Sequence, residues 1–391
     1  MRCNYLTLEN MVKRKICYGI VQPGQSVTDG IPVIKVNNLI SGLKSLSELD
    51  TTTRENEAKY IRTRLHGGEL IISVVGTIGK TAIVPKSFAG CNLVRATALI
   101  DIEDALLSKW VKYYIDSPYG QSYIEQNLNT TVQPTLNIKS LEKMSIPLYD
   151  AEYMKKIVIL LSSLDEKIAI NREINDNLEQ QALAIFQQKL LIEGDLPEGW
   201  KRSNLLDIAN YLNGLAMQKF RPADGENGLP VLKIKELRQG SCDASSELCS
   251  PSIKPEYIVH DGDVIFSWSG SLLVDLWCGG TCGLNQHLFK VTSEKYPKWF
   301  YYIWTAHHLA RFIAIAADKA TTMGHIKREE LAKAEVVIPD TASMERIGGI
   351  MQPIYDLIIS NRIENRKLST VRDTILPQLM SGAIDVSDIQ L

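Results

Sequence analysis

The sequence lacks a long apolar run. Its hydrophobic residues make up 45% of 391 and the aromatic residues only 7%, but no apolar stretch approaches the roughly 18 residues that a membrane-spanning helix needs. Residues 1–10 show no apolar core of signal-peptide length. Its seven cysteines form an odd number in a large chain without an export signal, so we expect reduced thiols and a cytoplasmic protein.

The sequence also lacks an excess of charge of either sign, since the formal net charge is -2. Residues 1–150 carry 17 Lys and Arg against 14 Asp and Glu, whereas residues 199–340 carry 16 of each. A protein that binds DNA alone usually presents a strongly basic footprint. The sequence therefore predicts a weak electrostatic field around its globular parts.

We find no catalytic motif. The segment 76–81, Gly-Thr-Ile-Gly-Lys-Thr, resembles a phosphate-binding loop, but Val74 stands where that loop needs its first glycine. A β-turn that presents Lys80 to a phosphate backbone and a plain solvated turn both remain open. Cys278, Cys282 and His287, with Cys242 and Cys249, could hold zinc, although their spacings fit no usual zinc pattern and small buried residues are the simpler reading. The sequence therefore predicts no catalytic, cofactor-binding or metal-binding residues.

What the sequence does contain is a repeated heptad helix. Apolar residues at alternating spacings of three and four run from Ile157 to Ile185, and the same pattern recurs 190 positions later with two asparagines at matching places. The pattern predicts two long helices that form an antiparallel coiled coil. The predicted seam residues are Leu161, Leu164, Ile168, Asn171, Asn175, Leu178 and Ile185, with Met351, Ile354, Ile358, Asn361, Asn365, Leu368 and Ile375.

A polar layer in the middle of this seam can fix register and orientation. We therefore expect Asn171 and Asn175 to face Asn361 and Asn365.

The segments before the two helices repeat as well. Residues 31–39 match 229–237, residues 68–73 match 262–267, and Lys109 and Trp110 match Lys298 and Trp299. Short β-branched runs broken by Gly, Pro and Asn predict a mainly β core in each repeat, including strands at 32–36, 70–75 and 96–102. Helices are predicted at 108–126 and 298–317. The fold class is α+β, with domains at 1–150 (module 1), 151–198 (coil helix and linker), 199–340 (module 2) and 341–391 (second coil helix).

Polar residues fall at equivalent places on the predicted loops of both modules. Arg, Asn, Gln and Lys read base edges in the major groove, while Ser, Thr and Lys contact phosphates. The candidate DNA-binding residues in module 1 are Lys35, Asn37, Asn38, Thr77, Lys80, Arg95, Thr131, Gln133 and Thr135. Those in module 2 are Lys233, Lys235, Ser269, Ser271, Asn285, Gln286, His287, Thr321, Thr322, His325 and Lys327. Polar loop residues that only meet solvent are the competing interpretation.

Over its whole length the chain resembles specificity subunits of Type I restriction-modification enzymes. The resemblance rests on residues 133–147 leading into the helix at 151, on their repeat at 323–339, and on Gly199 and Trp200, which open the second module. Module 1 lacks this Gly-Trp opening. The resemblance implies a non-catalytic subunit in which each module is a target-recognition domain that reads one half of a bipartite, asymmetric DNA sequence.

The resemblance also implies partners. The coiled coil would dock two methyltransferase subunits, restriction and translocase subunits would join for cleavage, and S-adenosylmethionine, ATP and magnesium would be bound by those partners. The 28 steps from Ile157 to Ile185 span roughly 42 Å at the rise of an α-helix, a little over one DNA turn of about 34 to 36 Å. A coiled-coil adaptor that bridges proteins without touching DNA is the alternative.

Overall fold

The computed structural model describes residues 3–43, 45–129, 133–318, 325–384 and 386. By its internal contacts the chain divides into two compact units, residues 1–165 with 370–391 and residues 166–369. Two long helices, Ala151–Lys189 and Thr341–Met380, each contribute to both units. None of the helices in the described part of the chain is long and apolar enough to cross a membrane.

The first unit is built on a four-stranded antiparallel sheet. Its strands lie in the order Arg14–Tyr18, Thr97–Asp101, Leu70–Ser73, Thr81–Ile83. A second, mixed sheet has the strand order Asp50–Thr52, Ile31–Ile34, Asn92–Leu93. Two further antiparallel pairs join Asn4–Thr7 with Ser145–Leu148 and Leu128–Asn129 with Thr135–Leu136. Its shorter helices are Val36–Ser41, Arg54–Ala58, Ala105–Asp116, Pro118–Gln126 and Ile138–Glu142, with 3-10 turns at Leu8–Asn10, Leu46–Glu48, Ile61–Thr63 and Lys86–Phe88.

The second unit repeats this plan. Its antiparallel sheet has the order Asn210–Asn213, Leu288–Thr292, Val264–Ser267, Leu273–Leu276. The mixed sheet has the order Leu248–Cys249, Leu229–Leu232, Cys282–Leu284, Ile258–Val259, and Lys201–Asn204 pairs with Glu335–Ile338. Its shorter helices are Leu205–Ile208, Ile234–Gln239, Lys298–His307, Leu309–Asp318 and Arg328–Ala332, with 3-10 turns at Met217–Lys219 and Pro255–Tyr257. The duplicated α+β modules predicted from the sequence are confirmed.

Each unit buries its own section of the two long helices. In the first unit, Trp110 and the sheet residue Ile100 share a core with Ile157, Leu161 and Leu376. In the second, a core of the same kind contains Phe266, Trp299, Met351 and Ile358. Burying these large apolar side chains is the main favourable contribution to folding, so each module is stabilised by the helices that it packs against.

In the second unit the two long helices run antiparallel, and asparagines of the predicted seam meet between them. Asn171 donates from Nδ2 to Oδ1 of Asn365 over 2.9 Å, and Asn361 donates from Nδ2 to Oδ1 of Asn175 over 2.9 Å. Glu364 accepts a second hydrogen bond from Asn171 at 2.6 Å. Reciprocal side-chain pairs therefore join the asparagines across the seam, while Asn171 Oδ1 is buried without a hydrogen-bond partner among the described residues.

In the first unit the same helices also run antiparallel. The Tyr153 hydroxyl donates to the Leu379 carbonyl over 3.0 Å, and Arg372 donates to Asp165 over 2.6 Å. Leu161 of the first unit is buried, as are Ile168 and Ile358 of the second, whereas Ile170, Ile174 and Leu357 beside the seam of the second unit are exposed. The alternation of buried and exposed positions is the one that the heptad pattern predicts.

Two predicted helices are each split in the structure. The helix predicted at 108–126 breaks at Ser117, because Pro118 disfavours helical geometry in the residue before it and Ser117 caps the next helix. The helix predicted at 298–317 breaks at His308, whose Nε2 lies 2.7 Å from the Glu335 carbonyl oxygen. The predicted strand at 32–36 was also too long, since Lys35 is the N-cap of a helix.

Candidate nucleic-acid interface

Three segments of module 1 meet beside the end of strand Leu70–Ser73. A tight turn at 94–97 is closed by a hydrogen bond from the Thr97 amide to the Val94 carbonyl at 2.9 Å. The Val74 amide, which opens the hairpin loop 74–80, donates to the Ala96 carbonyl at 2.8 Å, and the Leu136 amide donates to the Val74 carbonyl at 3.0 Å. We call the surface formed by these three segments recognition surface 1.

Module 2 builds the same arrangement from different residues. The Leu288 amide closes the turn 285–288 on the Asn285 carbonyl at 3.0 Å. The Trp268 amide donates to the His287 carbonyl at 3.4 Å, and the Ile326 amide donates to the Trp268 carbonyl at 3.1 Å. This surface, which we call recognition surface 2, therefore matches recognition surface 1 bond for bond.

A glycine holds the turn in both modules. A Cβ on Gly19 would lie 2.2 Å from the Leu93 carbonyl oxygen, and a Cβ on Gly214 would lie 2.3 Å from that of Asn285. Both approaches are far closer than any real side chain tolerates, so only glycine fits. The next residues, Ile20 and Leu215, make parallel bridges to the first residue of the turn. The turns at 94–97 and 285–288 are therefore rigidly placed and equivalent.

Recognition surface 1 brings together four of the predicted residues. Arg95 and Lys80 are exposed, as is Thr77, and Thr135 is partly buried. Among the described residues, no hydrogen bond or ion pair of the Arg95 guanidinium is found. The Ser73 hydroxyl donates to the Thr77 carbonyl at 2.6 Å and accepts from the Lys80 amide at 2.8 Å, which fixes the hairpin loop. Within the described part of the chain, neither the Arg95 guanidinium nor the Lys80 ammonium has a hydrogen bond or ion pair, so the surface presents two unpaired positive charges.

Recognition surface 2 has a different character. Ser269 Oγ lies 3.0 Å from Nδ1 of His287, and the Gln286 amide nitrogen lies 3.4 Å from Nε2 of the same ring. An amide nitrogen can only donate, so Nε2 accepts, and in the neutral ring Nδ1 carries the proton and donates to Ser269. His325 is exposed, and its backbone forms an isolated antiparallel β-bridge with Ser269. Neutral hydrogen-bonding groups therefore replace the cations of surface 1.

Two predicted residues of module 2 are buried and serve the turn itself. Asn285 is 6% exposed, and its Oδ1 accepts from the His287 amide at 3.3 Å. Ser269 is 5% exposed. Ser271, by contrast, is exposed, and its carbonyl accepts from the buried Ser267 hydroxyl at 2.9 Å. Sequence alone did not separate the residues that build this surface from those that are displayed on it.

The predicted residues near Lys35 lie on a short helix, and their assignment to a loop was wrong. Asn37 and Asn38 belong to Val36–Ser41, and Asn38 Oδ1 accepts from the Lys35 amide at 2.7 Å as a cap. The Lys35 ammonium forms an ion pair with Asp50 at 2.5 Å. The Asn38 side chain therefore caps the start of the helix, where it accepts from a backbone amide that has no partner within the helix.

The matching segment of module 2 repeats this feature. Lys235 lies in the helix Ile234–Gln239 rather than on a loop, and the Lys233 amide donates to Glu236 at 3.2 Å. Lys233 pairs with Glu247 at 2.5 Å, and Lys235 donates to Ser245 at 2.8 Å. Both ammonium groups therefore have acceptors within the module.

The remaining predicted residues lie in or near the segments 130–132 and 319–324. Thr131, Thr321 and Thr322 lie outside the described residues. Gln133 has a polar partner, and Lys327 is the N-cap of the helix Arg328–Ala332. The assignment of these residues to DNA contacts stays a prediction.

The sequence reasoning missed two displayed residues of module 2. The Trp268 indole donates from Nε1 to Oδ1 of Asn213 at 3.0 Å, and its ring lies 5.7 Å from that of Phe289. The matched residues of module 1 are Val74 and Tyr18, and the Tyr18 hydroxyl accepts from the Ile138 amide at 3.1 Å. The signal that could have identified Asn213 is the glycine that follows it, because Gly214 matches Gly19.

The cysteines form no metal centre within the described part of the chain, where no group of three or more His, Cys, Asp or Glu side chains is suitably placed. Burial raises the pKa of Cys278 to about 11 and that of Cys91 to about 11. Contact with the Cys242 thiol, together with burial, raises the pKa of Cys282. The described thiols at these sites are therefore protonated and poorly nucleophilic at neutral pH.

Comparison with known proteins places this geometry in a family. The family model for the Type I restriction modification DNA specificity domain matches residues 25–180 and again residues 197–370. The chain belongs to this family and carries two copies of its domain. The two matches follow the sequence repeat, each covering most of one module and most of the coil helix after it.

Individual relatives agree with the family model. The chain is 24% identical over 313 residues to the specificity subunit of the Type I restriction enzyme MjaIX of Methanocaldococcus jannaschii, covering 73% of this chain and 71% of the relative. It is 28% identical over 207 residues to the EcoBI specificity subunit of Escherichia coli, covering 50% of this chain and 42% of that subunit. A crystal structure of the Type I restriction-modification S subunit from M. genitalium has the same fold, with a TM-score of 0.54, 13% identity and coverage of 97% of this chain and 96% of that one.

Proposed function

We propose that this chain is the non-catalytic DNA-recognition subunit of a Type I restriction-modification complex. Each module reads one half of a bipartite, asymmetric target. The observation that carries the proposal is the pair of recognition surfaces, which have the same backbone hydrogen bonds but display different side chains. Two equal scaffolds with unequal chemistry are what two different half-sites require, since base edges are distinguished by the donors and acceptors that meet them.

The two long helices supply the spacing between the half-sites in this proposal. Their support is the reciprocal Asn171–Asn365 and Asn175–Asn361 pairs, which admit one register. A fixed register gives a fixed length, and a fixed length suits a spacer of constant size.

Catalysis and cofactor binding belong to partner subunits in this proposal. Two methyltransferase subunits dock on the coiled coil and bind S-adenosylmethionine, and restriction and translocase subunits bind ATP and magnesium. The near-neutral charge of the modules supports shared DNA binding, because the partners would provide the phosphate contacts that dominate non-specific affinity.

Methylome sequencing of cells that express this chain with its methyltransferase subunits tests the proposal. The expected result is one bipartite methylated motif with a spacer of fixed length. A chain that only bridges proteins would leave no sequence-specific methylation that depends on its modules.

A paired insertion tests the spacing in the same experiment. One heptad is inserted between Glu173 and Ile174 and another between Arg362 and Ile363, so that one asparagine pair stays intact on each side. Seven residues lengthen a helix by roughly 10.5 Å, about three base pairs of DNA at 3.4 Å each. The spacer should lengthen by about three base pairs with both half-sites unchanged, and inserting the heptad in one helix only is the control that should break the pairing. An unchanged spacer in the doubly inserted chain would contradict the role of the coil.

A further inference from the structure

The turns at 94–97 and 285–288 place Arg95 and Gln286 at the same position. Each of the two residues follows the first residue of its turn. The amide of that first residue donates to a strand of the mixed sheet, from Val94 to the Ile34 carbonyl and from Asn285 to the Leu232 carbonyl, each at 3.2 Å. In both modules a glycine packs against the start of the turn, Gly19 against the Leu93 carbonyl and Gly214 against the carbonyls of Leu284 and Asn285. Arg95 and Gln286 therefore occupy matched positions of the two turns, with Arg95 exposed and Gln286 partly buried.

Arg95 is exposed and carries a planar fork of N–H donors without an internal partner among the described residues. A guanine presents two acceptors, O6 and N7, in the major groove, and an arginine fork binds both at once. A phosphate would accept from the same fork, so position alone does not decide between base and backbone.

Gln286 favours base contact, because a neutral amide lacks the charge attraction that an arginine has for a phosphate. Its Nε2 is directed to His287 Nε2, which leaves the second N–H of the amide and the carbonyl Oε1 for an external partner. One donor beside one acceptor is the set that binds N7 and the N6 amino group of adenine. Ser269 holds the His287 ring from the other side at 3.0 Å, so the amide is oriented before DNA arrives.

We propose that Arg95 and Gln286 are the matched base-reading residues of the two modules, with Arg95 contacting a guanine in one half-site and Gln286 an adenine in the other. His287 and Ser269 are positioning residues, which act through the Gln286 amide. This inference rests on the proposed function and assigns the individual side chains that discriminate between bases.

Exchanging the two residues tests the assignment. The complexes contain methyltransferase subunits and either the unchanged chain, Arg95→Gln or Gln286→Arg, and their targets are read by methylome sequencing. Arg95→Gln should convert one guanine to adenine in a single half-site, and Gln286→Arg should convert one adenine to guanine in the other. Each conversion should change the preference for the old base over the new one by about fivefold to a hundredfold.

Matched controls separate base reading from a change of charge. Arg54→Gln removes one exposed positive charge elsewhere in module 1, and Gln218→Arg adds one at an exposed position of module 2. Both control complexes should retain the original motif. A complex with Arg95→Gln that methylates the original motif with unchanged preference would overturn the inference, and so would a uniform loss of affinity without any change of preferred base.

A conservative variant covers the case in which Arg95→Gln fails to assemble. Arg95→Lys keeps the charge but loses the two-pronged fork. It should weaken discrimination at the same single position, and full retention of discrimination would contradict base reading by the fork. If the unchanged complex has no bipartite motif, the proposed function itself fails, which distinguishes that outcome from failure of the assignment.

Discussion

The two modules have the same architecture but are attached to their sections of the long helices by different interactions. In the first unit, the Tyr113 hydroxyl donates to Asp165 at 2.9 Å, and Arg372 and Lys112 lie 2.6 and 3.6 Å from that carboxylate. In the second unit the positions that match Tyr113 and Asp165 are Tyr302 and Tyr355, whose rings meet edge to face at 5.3 Å. A charged cluster in one unit corresponds to an aromatic contact in the other.

The second unit has its charged contacts about two and three turns further along the helix. Arg366 binds both carboxylate oxygens of Asp261 at 2.7 Å, and Arg362 binds Asp275 at 2.7 Å. Duplication therefore preserved the docking of each module while its ion pairs changed position. The comparison teaches that the location of an ion pair is less constrained here than the apolar seam beneath it.

Acid should have the largest effect because it acts on both units at once. Burial alone would raise the pKa of Asp165, but Lys112 and Arg372 outweigh it and hold that pKa below its ordinary value. The same balance holds at Asp261. Burial alone would raise its pKa, but the hydrogen bonds from Arg366 and the Gly280 amide lower it. Both carboxylates contribute fully above the unfolded-state pKa of about 3.9, and the contribution is lost as pH falls through the lower folded-state values.

Hydrogen exchange, read by peptide mass spectrometry from pH 7 downward with correction for intrinsic rates, measures this loss. Protection should fall in both units as the pH drops below about 4. Asp165→Asn serves as the control, since it should remove that carboxylate's contribution to the pH dependence in the first unit and leave that of the second unchanged. Protection in the first unit that depends on pH identically with and without Asp165 would contradict the role of this cluster.

Removing the charge of Asp165 alone should have the next largest effect. Asp165→Asn leaves Arg372 and Lys112 beside a neutral amide, and we expect a loss of about 2–3 kcal/mol in the first unit. Local opening free energies from hydrogen exchange measure the change. The matched control is Tyr355→Phe, which keeps the ring contact with Tyr302 and should change the second unit by less than about 0.5 kcal/mol. Equal effects of the two variants would remove the contrast between the units.

Arg366→Gln should have the smallest of the three effects. It removes the two-pronged bond to Asp261, and because both side chains are about one quarter to one third exposed, we expect about 1–2 kcal/mol in the second unit. Arg366→Lys restores the charge without the fork and should recover part of the loss. An effect that spreads to peptides of the first unit would show that this contact is not local.

Much of the fold was predictable because the heptad period and the repeat are both long-range patterns in the sequence. The partners of Asn171 and Asn175 followed from the shared offset of 190 positions. The break at His308 did not, because it depends on a carbonyl 27 residues away. Burial of Asn285 likewise depends on the bridge to Leu215, a tertiary contact that the local polar composition does not reveal.

The sequence indicated which segments carry polar side chains, but not which of these side chains are exposed. Arg95, Lys80 and Gln286 are displayed as expected. Trp268 escaped notice because an apolar residue at the end of a strand resembles a core residue. Trp268 is partly buried where the chain leaves the sheet, and hydrophobic pattern alone does not mark that point.

The asparagine layer also has the bonding pattern of a symmetric homodimer. The repeat equates Asn171 with Asn361, yet Asn171 bonds to Asn365, the counterpart of Asn175. This reciprocal pattern is the one that two identical subunits form across a twofold axis. A homodimer of one ancestral half-chain would satisfy the same amides, but its two identical turns would confine it to palindromes. Fusion into a single gene lifts that restriction, because a mutation then alters one half of the target and leaves the other as it was.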